Sequence, residues 1–286
     1  MVLSKDTQVA RVELGHALVP LFRPLQRKPR AKVEVEQHIG PATLHWRAFW
    51  ALDAADQSVL LALVWLLGRD ARQIGAQAPG ADAQALWAEL DPKNGATSQL
   101  GAAGRLSMRE LILTAGWEPS GFRRRLVRQS LERLAHVIIT GTNGATRWSC
   151  SLIGWRLDED SGQLQVALNP ALAVILLTGG QHVRYQLAER HELKSDSAKI
   201  VHVWLSAWLR PGGEGTIGLD RLSEHVWPEP TSAAGQRRRR SDLLAALEEL
   251  RRVGWEVEAS GKKFVIRRPP EDKASEKPRP RRRSAA

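Results

Sequence analysis

Apolar residues recur at helical spacing after Asp53. Leu60, Leu61, Val64 and Leu67 fall on one face of a helix when each residue advances by the helical angle. Asp53 is the expected N-cap, because an aspartate side chain accepts hydrogen bonds from the free N–H groups of a first turn. The pattern therefore predicts a core helix. Shorter helices are predicted over residues 12–21 and 83–90.

A pair of helices with a sharp break between them is predicted over residues 107–134. Ser107 is the expected N-cap of a helix over 108–115, and Ser120 that of a helix ending near Leu134. The Gly-Trp-Glu-Pro sequence at 116–119 breaks the pattern, because proline cannot continue a helix. Runs typical of strands follow at 137–140 and 147–155 around a turn at 142–144. A helix-turn-helix followed by a hairpin indicates a winged helix.

The same order of patterns recurs about 110 residues later. The predicted elements are helices over 195–209, 219–226 and 237–253, a Trp-Pro-Glu-Pro break at 227–230, and strands at 255–258 and 264–267 around a turn at 260–262. The offset grows from 110 residues between Trp117 and Trp227 to 116 between Leu134 and Leu250. A structural duplication fits this drift better than a tight sequence repeat does.

The patterns predict an α+β fold with two tandem winged-helix domains. The expected division is a basic N-terminal arm over residues 1–40, a first winged helix over 41–178, a second over 179–268, and a disordered basic tail over 269–286. The prolines of the arm and the charged, apolar-poor composition of the tail favour segments outside a core. The stretch 68–104 is rich in Ala, Gln and Gly and suggests no role of its own.

The net charge of the chain indicates what kind of partner it binds. The chain has 42 Lys and Arg against 31 Asp and Glu, a formal charge of +11, and such a field attracts nucleic acid. Its single cysteine, Cys150, excludes an internal disulfide and a zinc finger. The longest apolar runs are far shorter than a membrane span, and no signal peptide opens the sequence. We expect a cytoplasmic protein without a membrane partner.

In the first copy, helical geometry divides the second helix of the pair into two faces. Phe122, Val127 and Leu131 fall on the predicted core side, whereas the arginines and Gln129 fall on or beside the opposite side. Arginine and glutamine can bond base edges bidentately in the major groove. A solvated basic face is the alternative interpretation. The predicted DNA-contacting residues are Ser120, Arg123, Arg124, Arg125, Arg128, Gln129, Thr146 and Arg147.

In the second copy, Leu243, Leu247 and Leu250 define the core face, which turns Arg237, Arg238 and Ser241 outward. Four consecutive arginines cannot all contact bases, so a general electrostatic patch explains part of the run. The predicted DNA-contacting residues are Arg237, Arg238, Arg239, Arg240, Ser241, Lys262 and Lys263. In the tail, Arg279 and residues 281–283 fit either a non-specific phosphate clamp or a solubility tail.

No catalytic pattern accompanies these residues. The sequence has no Gly-Lys-Ser or Gly-Lys-Thr, no His-Glu-x-x-His and no His-x-His, and Tyr185 is its one tyrosine. These patterns would be needed for nucleotide hydrolysis, zinc peptidase chemistry or DNA nicking. We therefore expect no enzyme, no cofactor and no metal.

Several segments carry a family resemblance. They are VALNP at 166–170, GGQHVR at 179–184, HVWP at 225–228, the arginine run at 237–240, GW at 254–255 and VIR at 265–267. The chain resembles the RepC-like replication initiators of IncQ-type broad-host-range plasmids, most strongly over residues 153–268.

The resemblance implies a function. Such initiators bind directly repeated origin sequences (iterons) in double-stranded DNA, destabilise an adjacent A·T-rich segment and allow a plasmid helicase and primase to load. A homodimer on DNA is an open alternative to a monomer. Two other functions also stay open: a winged-helix transcriptional repressor, and a basic protein-interaction hub without sequence-specific DNA binding.

Overall fold

Helices and strands alternate along the chain in the computed structural model, which describes residues 8–13, 19–25, 30–39, 42–143, 146–178 and 182–270. The helices are α1 (Ala54–Asp70), α2 (Ala81–Ala88), α3 (Met108–Thr114), α4 (Gly121–Ala135), α5 (Pro170–Thr178), α6 (Leu187–Glu192), α7 (Asp196–Trp208), α8 (Leu219–Val226) and α9 (Ala233–Arg252). The strands are β1 (Val9–Glu13), β2 (Val33–Ile39), β3 (Ala42–Ala48), β4 (Arg72–Ile74), β5 (Lys93–Asn94), β6 (Gly101–Ser107), β7 (Val137–Asn143), β8 (Thr146–Ser151), β9 (Ile153–Leu157), β10 (Gln163–Leu168), β11 (His182–Gln186), β12 (Glu214–Gly218), β13 (Glu256–Ser260) and β14 (Lys263–Arg267). This mixture confirms the α+β class.

Side-chain caps start the main helices where the sequence predicts them. The Asp53 carboxylate accepts hydrogen bonds from the backbone N–H groups of Ala55 and Asp56 at 2.9 and 3.0 Å, and Asp56 accepts one from the Asp53 N–H at 3.0 Å. This reciprocal capping box satisfies donors that the first turn leaves free. Ser195 caps α7 through the Ala198 N–H at 3.1 Å. The predicted core helices are confirmed at these ends.

The second half of the chain folds as three helices against a small antiparallel sheet. In sequence order these elements are α7, β12, α8, α9, β13 and β14, and β14 lies between β12 and β13 in the sheet. The core contains Leu243, Leu247 and Leu250 of α9, packed in one cluster with Trp255 and Ile266. The apolar face predicted for this helix is confirmed. These six elements are called the second module below.

The first half contains the same arrangement with two insertions, one between α1 and β6 and one, β7 and β8, between α4 and β9. The equivalent elements are α1, β6, α3, α4, β9 and β10, and β10 lies between β6 and β9 as β14 lies between β12 and β13. These six elements are called the first module. Strand β4 extends its sheet beside β6. The duplication inferred from the sequence is thus present in the order of elements and in the order of strands.

The hairpin predicted over residues 137–155 is only partly correct. Strands β7 and β8 do form a hairpin, but they belong to a separate sheet with strand order β2-β3-β7-β8-β5. The predicted second strand is divided near Leu152, and the part after it is β9 of the first module. Strand β3 pairs with β7 along six residues from Thr43 to Ala48. This pairing with a distant segment draws the hairpin away from the first module's sheet.

The N-terminal segment also differs from its prediction. Residues 14–18 of the predicted helix lie outside the described residues, but Val12 and Glu13 belong to β1, which pairs antiparallel with β11. Ala10, Leu21 and Val33 are buried in the same cluster as α1. The described parts of residues 1–40 therefore join the core and do not stand apart as an arm. The predicted tail beyond Pro270 lies outside the described residues.

Two buried arginines connect the second module to the rest of the fold. Arg190 of α6 donates to the carbonyl oxygens of Ala54 (2.9 Å) and Lys199 (2.6 Å) and to Ser58 Oγ (3.2 Å). Burial lowers the pKa of Arg190 to about 9. Arg268, which follows β14, donates to the carbonyl oxygens of Ser206, Leu209 and Arg184 at 2.5, 3.0 and 2.5 Å. Arg190 therefore connects α1 of the first module with α7 of the second, and Arg268 connects the second module with β11.

Candidate nucleic-acid interface

Helix α4 presents an arginine-rich face to solvent. Ser120 begins the helix by accepting a hydrogen bond from the Arg123 N–H at 3.2 Å. Val127, Leu131 and Leu134 are fully buried, whereas four predicted contact residues within α4 are exposed. These four are Arg124, Arg125, Arg128 and Gln129. The division of the helix into a core face and a polar face follows the predicted geometry.

Phe122 departs from that prediction. It was expected on the core face, but 61% of its surface is exposed. The Arg123 guanidinium lies 5.5 Å from the centre of the Phe122 ring and 5.1 Å from that of Trp117. Arg123 is therefore held between an aromatic ring in the turn and one in the first turn of α4.

Arg128 is engaged by the hairpin of the first module. Its Nη2 lies 2.5 Å from Glu159 Oε2, in the turn between β9 and β10. Asp158 orders this acidic turn by accepting hydrogen bonds from the N–H groups of Asp160 and Ser161 at 3.0 and 3.1 Å. Both members of the Arg128–Glu159 pair are substantially exposed, so water screens it and it contributes little to stability. Arg128 can therefore exchange Glu159 for another anionic group at small cost.

Buried ion pairs anchor the other flank of α4. Arg133 binds the fully buried Asp56 carboxylate through Nη2 at 2.6 Å and through Nε at 3.1 Å, and Arg30 reaches the same carboxylate at 3.1 Å. Arg30 also pairs with Asp53. Burial favours a raised pKa for Asp53, but the backbone hydrogen bond of Asp56 and the Arg30 guanidinium outweigh it and lower the pKa. These contacts fix α4 against the start of α1.

Helix α9 presents a second arginine-rich face. Ser232 caps it through the Gly235 N–H at 3.2 Å, one turn before the predicted start. Arg237, Arg238 and Ser241 are exposed, as the predicted helical geometry requires. Arg240 is also exposed and lies 3.9 Å from Asp220.

Arg239 binds backbone and aromatic groups of the protein itself. Its Nη1 donates to the carbonyl oxygens of Glu229 at 2.7 Å and Trp227 at 3.3 Å, and its guanidinium lies 5.7 Å from the Trp227 ring centre. Desolvation lowers the pKa of Arg239. This side chain therefore fastens the turn between α8 and α9, much as Arg123 packs on Trp117 in the first module.

The predicted hairpin contacts lie on two different kinds of hairpin. Lys262 and Lys263 are exposed at the tip of β13–β14, where Gly261 adopts a positive φ of 60°. Thr146 and Arg147 are exposed at the start of β8. Their hairpin belongs to the five-stranded sheet, whereas the first module's counterpart of β13–β14 is β9–β10 with its acidic turn.

The sequence reasoning missed an aromatic cluster beside α4. The rings of Phe49, Trp50 and His136 lie with centroids 5.2 to 6.2 Å apart, and Phe49 and Trp50 are 57% and 38% exposed. Trp50 and Trp155 line a cleft of about 510 Å³ over the outer face of α4. The adjacent aromatic pair just before the Asp53 cap is the signal in the sequence for this cluster.

Other reactive side chains lie inside the fold. Burial raises the pKa of the Cys150 thiol to about 12 and raises that of the buried Tyr185 hydroxyl. Within the described ranges, no group of three or more His, Cys, Asp or Glu side chains is placed to hold a metal ion. Among the helices in those ranges, none is both long and apolar enough to cross a membrane.

The family model for replication protein C (RepC) matches residues 4–270. The chain belongs to the replication protein C family. This confirms the resemblance seen in the sequence, and it assigns the chain to replication initiation. The RepC match spans both helix pairs and both sheets that pack on them. No curated protein matches the chain in sequence.

Solved structures of RctB share the fold of this RepC family member. Selenomethionine derivatives of RctB domains 2 and 3 superpose with a TM-score of 0.55 at 13% identity, covering 90% of this chain and 99% of theirs. A second structure of domains 2–3, RctB-155-483, gives a TM-score of 0.51 at 13% identity, with 87% and 95% covered. At this level of identity the likeness shows the fold.

Proposed function

We propose that this RepC family member initiates plasmid replication by binding iterons in double-stranded DNA through two winged-helix modules. One observation carries the proposal: the same arrangement of helices and strands occurs twice, and each copy exposes arginines on the second helix of its helix pair. A net charge of +11 supplies the long-range attraction to DNA.

The order of elements supports the winged-helix assignment. In each module a helix pair follows a strand and precedes a hairpin that pairs back onto that strand. A helix-turn-helix of this kind places its second helix in the major groove. In the first module the β9–β10 hairpin takes the place of the wing, and its acidic turn favours a role in holding Arg128 rather than in binding phosphate.

The exposure of these side chains suggests which of them contact bases and which contact phosphates. Arg125 and Arg237 lie on the outer faces of α4 and α9, where they can bond base edges. Arg239 is committed to the turn of the second pair. Lys262 at the hairpin tip has the exposure and charge of a phosphate contact.

Initiation by this protein is proposed to work through binding and distortion of DNA, without a catalytic step of its own. Two connected modules can hold a bent or unwound duplex, because each anchors one side of the distorted segment. A plasmid helicase and primase would then load at the opened A·T-rich region. The protein would act in the cytoplasm, as a monomer or a homodimer.

Binding to matched duplexes tests this function. A duplex carrying directly repeated origin sequence should bind far more tightly than a scrambled duplex of equal length and composition. If each module occupies one major-groove site about one turn from the other, footprinting should show about 20 protected base pairs per molecule. Equal affinity for the repeated and scrambled duplexes would refute the proposal and favour a protein-interaction hub.

A further inference from the structure

An exposed aromatic ring stands among the polar contact residues of α4. Phe122 follows Gly121, and 61% of its surface faces solvent. At 100° per residue, Phe122 lies within about 60° of Arg125 and about 20° of Gln129 around the helix. All three side chains are exposed on this face. A large apolar group therefore shares the surface that would enter the major groove.

The surroundings of Phe122 favour close approach by a ligand. A Cβ at Gly121 would meet nothing within 4 Å, so the start of α4 is open. The Arg123 guanidinium packs 5.5 Å from the Phe122 ring centre, so the ring has a neighbour on one side and solvent on the other. In the second module, the residue at the same distance from its Ser232 cap is Ala234, which is also exposed. The second residue of the helix is thus apolar in both modules, and it is larger in the first module (Phe122) than in the second (Ala234).

Within the major groove, the C5 methyl group of thymine is the apolar feature that a protein can contact. We infer that Phe122 is a specificity-determining residue that packs on a thymine methyl group in the DNA site of the first module. The inference rests on the proposed function and adds the base that this position recognises. The contact should discriminate thymine from uracil, which differs from it only by that methyl group.

The test uses the full-length chain and a duplex of about 22 base pairs that the protein itself selects from a random pool. Each thymine of the selected duplex is replaced singly by deoxyuridine, and dissociation constants are measured. We expect one position at which the wild-type protein binds uracil about fourfold more weakly, the factor that corresponds to about 0.8 kcal/mol for one buried methylene-sized group. Phe122→Ala should bind the thymine and uracil duplexes equally, whereas Phe122→Leu should keep most of the preference.

The alternative role for Phe122 is to position Arg123, and the variants separate the two. If Phe122→Ala weakens binding while the wild-type protein shows no thymine preference at any position, the ring serves only Arg123 and the inference is overturned. Leu113→Ala is the matched control, because Leu113 is an exposed apolar residue of α3 and should leave the thymine preference intact. Selection of no sequence at all would overturn the proposed function and this inference together. A selected duplex without any uracil effect would overturn this inference alone.

Discussion

Removal of the Asp56 carboxylate should destabilise the protein strongly, although Asp56 is not one of the predicted DNA-contacting residues. Asp56 is fully buried and accepts hydrogen bonds from Arg133, from Arg30 and from the Asp53 N–H. In Asp56→Ala, Arg133 would keep its charge at a site where only 12% of its side chain is exposed. Arg30 would still have Asp53 and the Ala51 carbonyl oxygen. The unpaired charge of Arg133 therefore accounts for most of the expected loss of stability.

The magnitude follows from that unpaired charge. Breaking a buried pair by removing one partner costs about 3–5 kcal/mol, and the lost capping interaction adds about 1 kcal/mol. Slight exposure lets water reach Arg133, so we expect a total of about 3 kcal/mol. With a urea m-value of about 3 kcal/mol/M, the unfolding midpoint should fall by about 1 M. This is a large fraction of a total stability of about 5–15 kcal/mol.

Urea unfolding followed by tryptophan fluorescence measures this shift. Asp56→Asn should lose less stability than Asp56→Ala, because the amide oxygen can still accept a hydrogen bond from Arg133. The combination of Asp56→Leu with Arg133→Met should recover more than half of the loss, since it removes both charges and fills the space with apolar groups. A midpoint change below about 0.3 M for Asp56→Ala, or a double variant less stable than Asp56→Ala, would refute the reasoning.

Three further predictions concern DNA binding and pH. Arg125→Ala or Arg237→Ala should each weaken binding to the selected duplex by about 1–3 kcal/mol and relax preference at one base pair, whereas Lys262→Ala should weaken all duplexes alike; equal loss on scrambled DNA would contradict the assignment of base contacts. If about 8 phosphates are neutralised, the log-log dependence of affinity on salt should have a slope of about −7, and a double Arg238→Ala and Lys262→Ala variant should reduce its magnitude by about 2; an unchanged slope would remove these residues from the phosphate contacts. Burial lowers the pKa of His202, and the unfolded chain therefore takes up a proton first, so stability should fall as the pH drops below about 6.5. Burial favours a raised pKa for Glu189, but its hydrogen bonds with His202 and Trp255 outweigh this effect and lower the pKa. A further loss of stability should therefore begin below about pH 4.5. His202→Gln should flatten the first part of this profile in urea unfolding, and an unaltered profile would show that other groups control it.

Local interactions made much of this fold predictable. The caps of α1, α3 and α4 depend on a side chain and a backbone N–H two or three residues apart, so Asp53, Ser107 and Ser120 could be recognised in the sequence. The apolar face of α9 could be predicted for the same reason, because helical geometry alone fixes which of its residues share a side. The family resemblance depended on short segments and was confirmed by the match over residues 4–270.

Parts of the candidate interface depended on contacts between distant segments. Hairpin β7–β8 was predicted correctly as a hairpin, but its sheet was decided by β3, which is about 90 residues away along the chain and pairs with β7. In the first module, β10 lies between β6 and β9. The sequence pattern of β10 does not show which strands it pairs with. Phe122 is predicted on the core side of α4, but it lies about 140° from the buried Val127 around the helix and faces solvent.

The sequence by itself determined the main helices that begin at a side-chain cap, the duplication of the pattern, and a net charge of +11 that favours a polyanionic partner. The tertiary structure decided which hairpin completes the first module, that Arg239 fastens a turn, and that Arg133 is bound to Asp56. The physical reason is the range of the interactions. Caps and helical faces are set by neighbours within one or two turns, whereas strand partners and burial are set by whichever distant segment packs against a residue.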